Sequence, residues 1–261
     1  MKQRIRRRLA AALAGGAAAM ALIAGTTATP AAAAAPPAPR ASAPSDSANF
    51  SDASGSPESS ESPEPFDFRD CPVLPPGVDA AKWRCEVFVM KGSLTVGALH
   101  VPDLAPMTAT NAEGPMPDGS RGQVFGGIRS AATRVDGGLR IQPQYAGFSD
   151  FYPDGVHRGA LDMKFRLLHP LLGEHCTIGA DSDPAALRFV QDGSTEWVSK
   201  EPPILKFSIH DNAFAAPRTH GCGPLGKAVD RRLGLPAPSG RSAISATAVY
   251  TFRSYAEPSV G

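Results

Sequence analysis

Apolar residues at every second position, in several separate segments, constrain the fold of this chain more than any other feature. The clearest segments are 161–167, 205–209 and 244–252, each between turns that contain Gly, Pro or Asp. Successive side chains of a strand point to opposite faces, so a period of two gives a strand one apolar and one polar face. Such strands are typical of antiparallel sheets with one solvated face. We therefore predict a mainly β domain, built as an antiparallel β-sandwich or a β-barrel.

The segment 87–98 carries a denser pattern of the same kind. Two alternating runs, 87–90 and 94–98, are separated by Lys91-Gly92. Gly readily adopts the backbone conformations of tight turns. We therefore predict a hairpin with its turn at Lys91-Gly92.

One segment has the pattern of a helix. Pro224 suits the first helical position, apolar residues recur every four positions from Leu225 to Leu233, and Gly234 follows. These features predict one short helix near 224–233 that caps one end of the sandwich or barrel. The stretch 184–190 is compatible with either a short helix or a strand.

The four cysteines, Cys71, Cys85, Cys176 and Cys222, all lie beyond the N-terminal 70 residues. An even number of cysteines in an exported chain predicts disulfide bonds, and four allow three pairings. We favour Cys71–Cys85, which would fasten the start of the domain to its first strand. The second bond, Cys176–Cys222, would then hold the loop before the helix against the sheet.

A zinc site is the alternative for two of these cysteines. His175 is adjacent to Cys176, and one residue separates His220 from Cys222. Zinc ligands are usually spaced by two to five residues so that the chain can wrap around the ion. The spacing therefore favours disulfides, and we predict neither a metal nor a cofactor.

The first 34 residues have the zones of an export signal. Five basic residues and no acidic residue occupy positions 1–8, and the stretch from Leu9 to Gly25 contains only Ala, Gly, Leu, Met and Ile. Ala32-Ala33-Ala34 then offers a small-residue cleavage site, so we predict that residues 1–34 are removed on secretion and leave no transmembrane segment. Arg6-Arg7-Arg8 leaves a twin-arginine export route open.

The remaining chain divides by composition into two parts. Residues 35–65 are dominated by Pro, Ala, Ser, Gly and acidic residues. Such a segment cannot bury enough apolar surface to fold, so we predict a disordered linker. Residues 66–256 are sufficient for a single β-rich domain with a sizeable core.

Charge and motifs exclude several functional classes. Without the five basic residues of the leader, 21 basic residues face 25 acidic ones, a net charge of −4. Nucleic-acid binders carry concentrated positive charge, so no nucleic-acid partner is expected. The phosphate-binding and dinucleotide-binding glycine motifs are also absent from the sequence.

A secreted hydrolase remains an alternative, although neither G-x-S-x-G nor H-E-x-x-H occurs. Its candidate groups are histidine and aspartate side chains that the fold would have to bring together. They are His157, His169, His175, His210, His220, Asp150, Asp154, Asp181, Asp183 and Asp211. His210-Asp211-Asn212 is the most suggestive set, and its alternative is an Asx turn at the end of a strand.

Two further groups of residues suggest ligands. Asp181-Ser182-Asp183 resembles part of a calcium loop but lacks the Gly and the distal Glu that complete one. Four aromatic residues would either stack on a sugar or belong to the core. They are Phe148, Phe151, Tyr152 and Trp197.

From Cys71 onward the chain resembles a family of exported, β-rich actinobacterial proteins of unknown function. Three groups of residues carry the resemblance: Cys176-Thr177-Ile178-Gly179 with Asp183-Pro184, then 211–217 with Phe214 and Pro217, then Gly221-Cys222-Gly223 with Gly234-Leu235-Pro236 and Ser239-Gly240. The chain departs from the family pattern at 143–147. The resemblance implies a Cys176–Cys222 bond and a strand at 185–190, and it implies no activity.

Three functional hypotheses follow from the sequence. The first is a non-catalytic module that binds an extracellular or cell-envelope partner, and the second is the hydrolase. A cleft in which several His and Asp side chains converge would favour the hydrolase, whereas an exposed apolar patch would favour binding. The third hypothesis, a carrier of a small hydrophobic ligand, requires an apolar cavity inside a barrel.

Overall fold

The computed structural model of this chain describes residues 66–152 and 155–257. The predicted leader 1–34, the predicted linker 35–65 and the candidate Asp154 lie outside the described residues.

The described residues form eleven strands and one α-helix. The strands are β1 Arg84–Val96, β2 Leu99–Pro115, β3 Arg121–Ser130, β4 Thr133–Arg134, β5 Arg140–Asp150, β6 Gly159–Leu168, β7 Thr177–Ile178, β8 Ala185–Lys200, β9 Pro203–Asp211, β10 Thr219–His220 and β11 Ala243–Ser254. The helix is α1 Gly226–Leu233, and short 3-10 turns lie at Ala80–Lys82, Asp136–Gly138 and Gly223–Leu225. The fold is therefore mainly β, as the alternating pattern predicts.

Eight long strands follow one another around the sheet in chain order. β1 pairs with β2 and β2 with β3, β5 pairs with β6, and β6, β8, β9 and β11 pair in succession, all antiparallel. β11 then returns to β1 and pairs with it from Arg84↔Ser254 to Thr95↔Ala243. Of the short strands, β4 pairs with β5, β7 pairs with β6, and β10 pairs with β7. This is the order of an up-and-down meander.

Side chains join the two ends of the meander, β3 and β5. The Phe125 ring of β3 stacks on the Tyr145 ring of β5 with 4.1 Å between centroids. Gln142 Nε2 of β5 donates a hydrogen bond to the carbonyl oxygen of Ser130 at 2.7 Å. The two ends of the sheet therefore meet through side chains, without backbone pairing between β3 and β5 in the described residues. We interpret the sandwich-or-barrel alternative on this basis as an eight-stranded antiparallel barrel.

The alternating segments of the sequence supply the interior of this barrel. In β6, Leu161, Met163, Phe165 and Leu167 are at most 1% exposed, whereas the intervening residues are partly exposed. β11 and β9 contribute their own alternate residues to the same interior through Ile244, Ala246, Ala248 and Ile209. The three strands predicted at 161–167, 205–209 and 244–252 are thus confirmed.

The predicted hairpin turn at Lys91-Gly92 is wrong. β1 runs through both residues as one strand, with register irregularities on either side of Gly92, and the chain turns instead at Gly97-Ala98. A Cβ at position 92 would collide with the carbonyl oxygen of Ser245 on β11. Gly92 therefore permits a close approach of two paired strands, which is the other structural role of a glycine within a strand.

Helix α1 closes one end of the barrel. The predicted helix 224–233 begins as a 3-10 turn and becomes α-helical at Gly226, and it ends at Gly234 in the left-handed conformation. Leu233 belongs to the core, and its carbonyl oxygen accepts a hydrogen bond from Ala98 N at 2.8 Å. Within the ambiguous stretch 184–190, residues 185–190 are strand, which is the alternative that the family resemblance implies.

Both predicted disulfide bonds are present. Cys71–Cys85 has Cα atoms 5.7 Å apart, and Cys176–Cys222 has Cα atoms 4.2 Å apart. The first bond fastens the N-terminal segment to β1, and the second joins the start of β7 to the turn before α1. Because Cys176 and Cys222 are bonded to each other, their thiolates are not available for the alternative zinc site.

Within the described ranges, no helix combines the length and the hydrophobicity that a membrane-spanning helix needs.

Candidate functional site

The end of the barrel opposite α1 contains a small apolar cavity, and we call this end the mouth. Its volume is about 70 Å³. Four phenylalanines, Phe88, Phe151, Phe189 and Phe207, belong to its wall. The other lining residues are Met90, Ala109, Arg158, Gly159, Leu161, Ile209 and Ala248. The cavity lies between β1, β2, β6, β8, β9 and β11, and it is therefore part of the barrel interior.

Aromatic side chains continue from the cavity along the inner face of the sheet. The Phe88 ring lies 5.6 Å from the Phe151 ring and 4.7 Å from the Tyr250 ring, measured between centroids. Tyr250 is paired in register with Leu205, and Leu205 is paired with Trp197. Directly paired residues of adjacent strands share a face. Trp197, Leu205 and Tyr250 therefore form one row on the inner face, which we call the aromatic shelf.

At the mouth, β8 has an unpaired edge among the described residues. β6 begins at Gly159, which pairs with Phe189, whereas β8 continues to Lys200 with β9 as its partner. In the described residues, the β8 segment beyond Phe189 has no strand on its β6 side. Trp197 is accordingly 57% exposed.

Next to the cavity, one inward-facing residue further along β1, lies a cluster of polar side chains that we call the polar layer. Its members are Arg84, Glu86, Asn111 and Tyr250. Glu86 is the next inward residue after Phe88 and is only 3% exposed. Its Oε1 accepts hydrogen bonds from Tyr250 Oη at 2.7 Å and from Arg84 Nε at 2.6 Å. Its Oε2 accepts one from Asn111 Nδ2 at 3.1 Å. Arg84 also pairs with Glu113.

Burial sets the protonation behaviour of this polar layer. Loss of water around the Glu86 carboxyl raises its pKa above the ordinary value, and the nearby charge of Glu113 raises it further. Burial likewise raises the pKa of Tyr250, followed by the charge of Glu86. Tyr250 is thus a neutral donor, and the hydrogen bonds of the layer hold Glu86 in place. The cavity therefore has a polar boundary on the side of Glu86.

The cavity wall contains one charged residue, Arg158, among the described residues that line it. Arg158 immediately precedes β6, and its main-chain N donates a hydrogen bond to the carbonyl oxygen of Phe189 at 2.7 Å. This bond fixes the backbone of Arg158 at the mouth, between the start of β6 and β8.

The histidines and aspartates of the hydrolase hypothesis do not converge on this cavity, and none of those described lines it. His220 and Asp183 form one exposed pair, with 3.6 Å between Nε2 and Oδ2. His210 Nδ1 lies 2.8 Å from Oδ2 of Asp192, a residue outside the candidate set.

The alternative interpretation of Asp211 as a turn residue is the one the structure supports. Its Oδ1 accepts a hydrogen bond from Ala213 N at 2.7 Å, which is an Asx turn. Its Oδ2 accepts another from Arg188 N at 2.7 Å and so braces β8 against β9. Both oxygens of this buried carboxylate are therefore engaged by backbone.

The calcium-like segment is engaged by neighbouring side chains. Lys164 Nζ binds Asp181 Oδ1 at 2.6 Å, and Asp183 faces His220. Among the described residues, no group of three or more His, Cys, Asp or Glu side chains is arranged to hold a metal ion.

The four aromatic residues proposed as a sugar-stacking face lie in different places. Phe151 lines the cavity and Trp197 belongs to the aromatic shelf, whereas the Tyr152 ring lies beneath Arg121 at 3.9 Å and the Phe148 ring lies 5.6 Å from Arg188. They therefore do not form one continuous stacking surface. Two of them contribute to the mouth together with aromatic residues of other strands.

Sequence reasoning missed the polar layer and Arg158. Arg84 and Glu86 are two residues apart on one strand and therefore share a face, so a charged pair within the apolar run of β1 was an available signal. Asn111 and Tyr250 join them only through strand pairing. Nothing in the local sequence around Arg158 indicates a cavity.

No protein-family model, curated protein or solved structure matches this chain.

Proposed function

We propose that this protein is an exported, non-catalytic barrel that binds a small apolar molecule at its mouth. The apolar cavity with its four phenylalanines, continued by the aromatic shelf, is the observation that carries the proposal. An eight-stranded barrel has an interior that side chains fill or that holds one small ligand. Here the half next to α1 is filled by core residues, and the cavity lies in the other half.

The size of the cavity limits what it can enclose. Its 70 Å³ is about half of the roughly 150 Å³ of an apolar cavity that binds benzene. The enclosed part therefore suits the end of an alkyl chain or a small branched group. The rest of such a ligand would lie along Phe207 and the aromatic shelf, where apolar contact is available at the mouth.

Export is the second part of the proposal. Two disulfide bonds suit an oxidising compartment, and the first 34 residues have the pattern of a cleaved signal. A ligand-binding barrel in this location would act on molecules outside the cell or in its envelope.

The hydrolase hypothesis has less support than binding. None of its described histidines and aspartates lines the apolar cavity. An apolar wall with one charged residue is typical of a site that holds a ligand by burial and orients it with few polar groups.

Filling the cavity tests the proposed function. Ala248 lines the cavity and is 1% exposed, so Ala248→Leu would place three additional carbon atoms within it. Isothermal titration calorimetry of the full chain with octan-1-ol and with octanoate should show binding to the unmodified protein and its loss in the variant. Ala186→Leu is the matched control, because Ala186 is exposed on the outer face of β8.

Circular dichroism and thermal unfolding establish that the filled variant is folded. If Ala248→Leu does not fold, Ala109→Val fills the same cavity from β2 with a smaller addition. Equal binding by the filled and unmodified proteins would refute the proposed site, and so would the absence of binding by every ligand.

A further inference from the structure

We propose that the natural ligand is a small amphipathic carboxylate whose apolar tail enters the cavity and whose carboxylate binds Arg158. This inference rests on the proposed function and specifies the chemistry of its ligand. The cavity wall explains the tail, and the guanidinium of Arg158 explains the charged group.

The guanidinium of Arg158 differs from the other arginines around the mouth. Arg84 pairs with Glu86 and Glu113, and Arg188 lies 3.6 Å from Asp162. The Arg121 and Arg253 guanidinium groups lie over the rings of Tyr152 and Phe68. By contrast, no hydrogen bond, ion pair or ring contact of the Arg158 side chain is found among the described residues.

The backbone of Arg158 is fixed although its side chain is exposed. The hydrogen bond from its main-chain N to Phe189 O lies at the start of the β6–β8 ladder. Gly159, the next residue, is buried and lines the cavity. Arg158 is therefore an exposed residue on a fixed stretch of backbone that borders the cavity.

An anion is the charged group that fits this arrangement. A guanidinium presents its N–H donors in a planar fork that matches the two oxygens of a carboxylate. Because the Arg158 side chain is exposed, water screens this attraction, and the matched hydrogen-bond geometry is what favours a carboxylate. Glu86 is already bound by Arg84, Tyr250 and Asn111 and so is not a partner for Arg158. Two carboxylates adjacent in sequence to the cavity wall also have other partners: Asp150 accepts a hydrogen bond from the main-chain N of Tyr152, and Asp162 lies 3.6 Å from Arg188.

The polar layer also directs the ligand toward Arg158. It bounds the cavity beyond Phe88, so the other end of a tail inserted in the cavity would lie beside the unpaired edge of β8. That edge begins after Phe189, to which Arg158 is anchored. A linear molecule with an apolar tail and one terminal carboxylate can therefore satisfy the cavity and the guanidinium together.

The test compares three ligands with the same tail, namely octanoate, octan-1-ol and octylamine, by calorimetry on the full chain with both disulfides formed. We expect octanoate to bind about tenfold more tightly than octan-1-ol, and octylamine to bind more weakly than either. In Arg158→Gln the preference for octanoate over octan-1-ol should disappear, with the affinity for octan-1-ol unchanged. Arg158→Lys should retain part of the preference, because it keeps the charge but not the planar fork.

Arg241→Gln is the matched control, since it removes the same charge from an exposed residue at the α1 end of the barrel. If octanoate and octan-1-ol bind equally well, or if Arg241→Gln weakens octanoate as much as Arg158→Gln does, the carboxylate inference is overturned while the binding function stands. If no ligand binds, both proposals fail.

Discussion

The two disulfide bonds should stabilise the barrel by different amounts, and the difference follows from the loops that they close. Cys71–Cys85 has a sequence separation of 14 and Cys176–Cys222 one of 46. The entropy lost by the unfolded chain on closing such loops corresponds to about 3 and about 4 kcal/mol of stability near room temperature. Replacing both cysteines of a bond by alanine removes that contribution, so we expect the Cys176→Ala, Cys222→Ala protein to be the less stable of the two variants.

The burial of its two cysteines also makes Cys176–Cys222 the more stabilising bond. Cys176 and Cys222 are at most 4% exposed, so truncating them also removes packed sulfur atoms from the core. For a domain of this size, 1 kcal/mol corresponds to a shift in Tm of about 2–4 °C. The expected decreases in Tm are therefore roughly 6–12 °C for the first bond and at least about 8–16 °C for the second.

Urea unfolding followed by tryptophan fluorescence and circular dichroism measures both variants against the unmodified protein. Together the two bonds supply about 7 kcal/mol, which is comparable to the whole stability of many domains. Full reduction should accordingly unfold the protein or bring it close to unfolding. A Cys71→Ala, Cys85→Ala variant that is clearly the less stable one, or a reduced protein with unchanged stability, would refute this reasoning.

Two further predictions concern single residues of β1 and β3. Burial raises the pKa of Glu86 above its ordinary 4.5, so its stabilising contribution is fully present below that pH and is lost as the pH rises through the folded-state pKa. Urea unfolding should therefore show that the free energy of unfolding of Glu86→Gln, minus that of the unmodified protein, increases from pH 4.5 to pH 7.5. Gly92→Ala should cost about 2 kcal/mol or more, because its Cβ would collide with Ser245, whereas Gly127→Ala should cost much less, because its Cβ would meet only Asp70 at 4.0 Å.

Each of these two predictions has an outcome that contradicts it. If the stability of Glu86→Gln instead falls relative to that of the unmodified protein as the pH rises, the ionised carboxylate stabilises the fold. Similar free energies of unfolding for Gly92→Ala and Gly127→Ala would mean that β1 and β11 separate easily at this point.

The strands could be predicted because each depends on a local pattern. In β6, four apolar residues alternate with charged ones, and only a strand with one face in the barrel places them correctly. The helix likewise has its own start and stop signals in Pro224 and Gly234. Such local signals do not depend on contacts with distant parts of the chain.

The closure of the barrel and its mouth could not be predicted because they depend on long-range contacts. The Glu86–Tyr250 hydrogen bond joins residues 164 positions apart. The cavity depends on phenylalanines that four different segments deliver to one place, and no local pattern separates them from ordinary core residues. Gly92 shows the same limitation, since a glycine in sequence indicates a turn as readily as a close approach of two strands.

Nuclear magnetic resonance of the side-chain methyl groups tests the ligand site most directly. On addition of octanoate we expect shifts concentrated at Met90, Ala109, Leu161, Ile209 and Ala248, whose methyl groups line the cavity. Methyl groups of the core beside α1, such as Ile178 and Leu233, should be unaffected. Shifts confined to residues outside the mouth, or no shifts at concentrations that saturate binding, would contradict a ligand in the barrel.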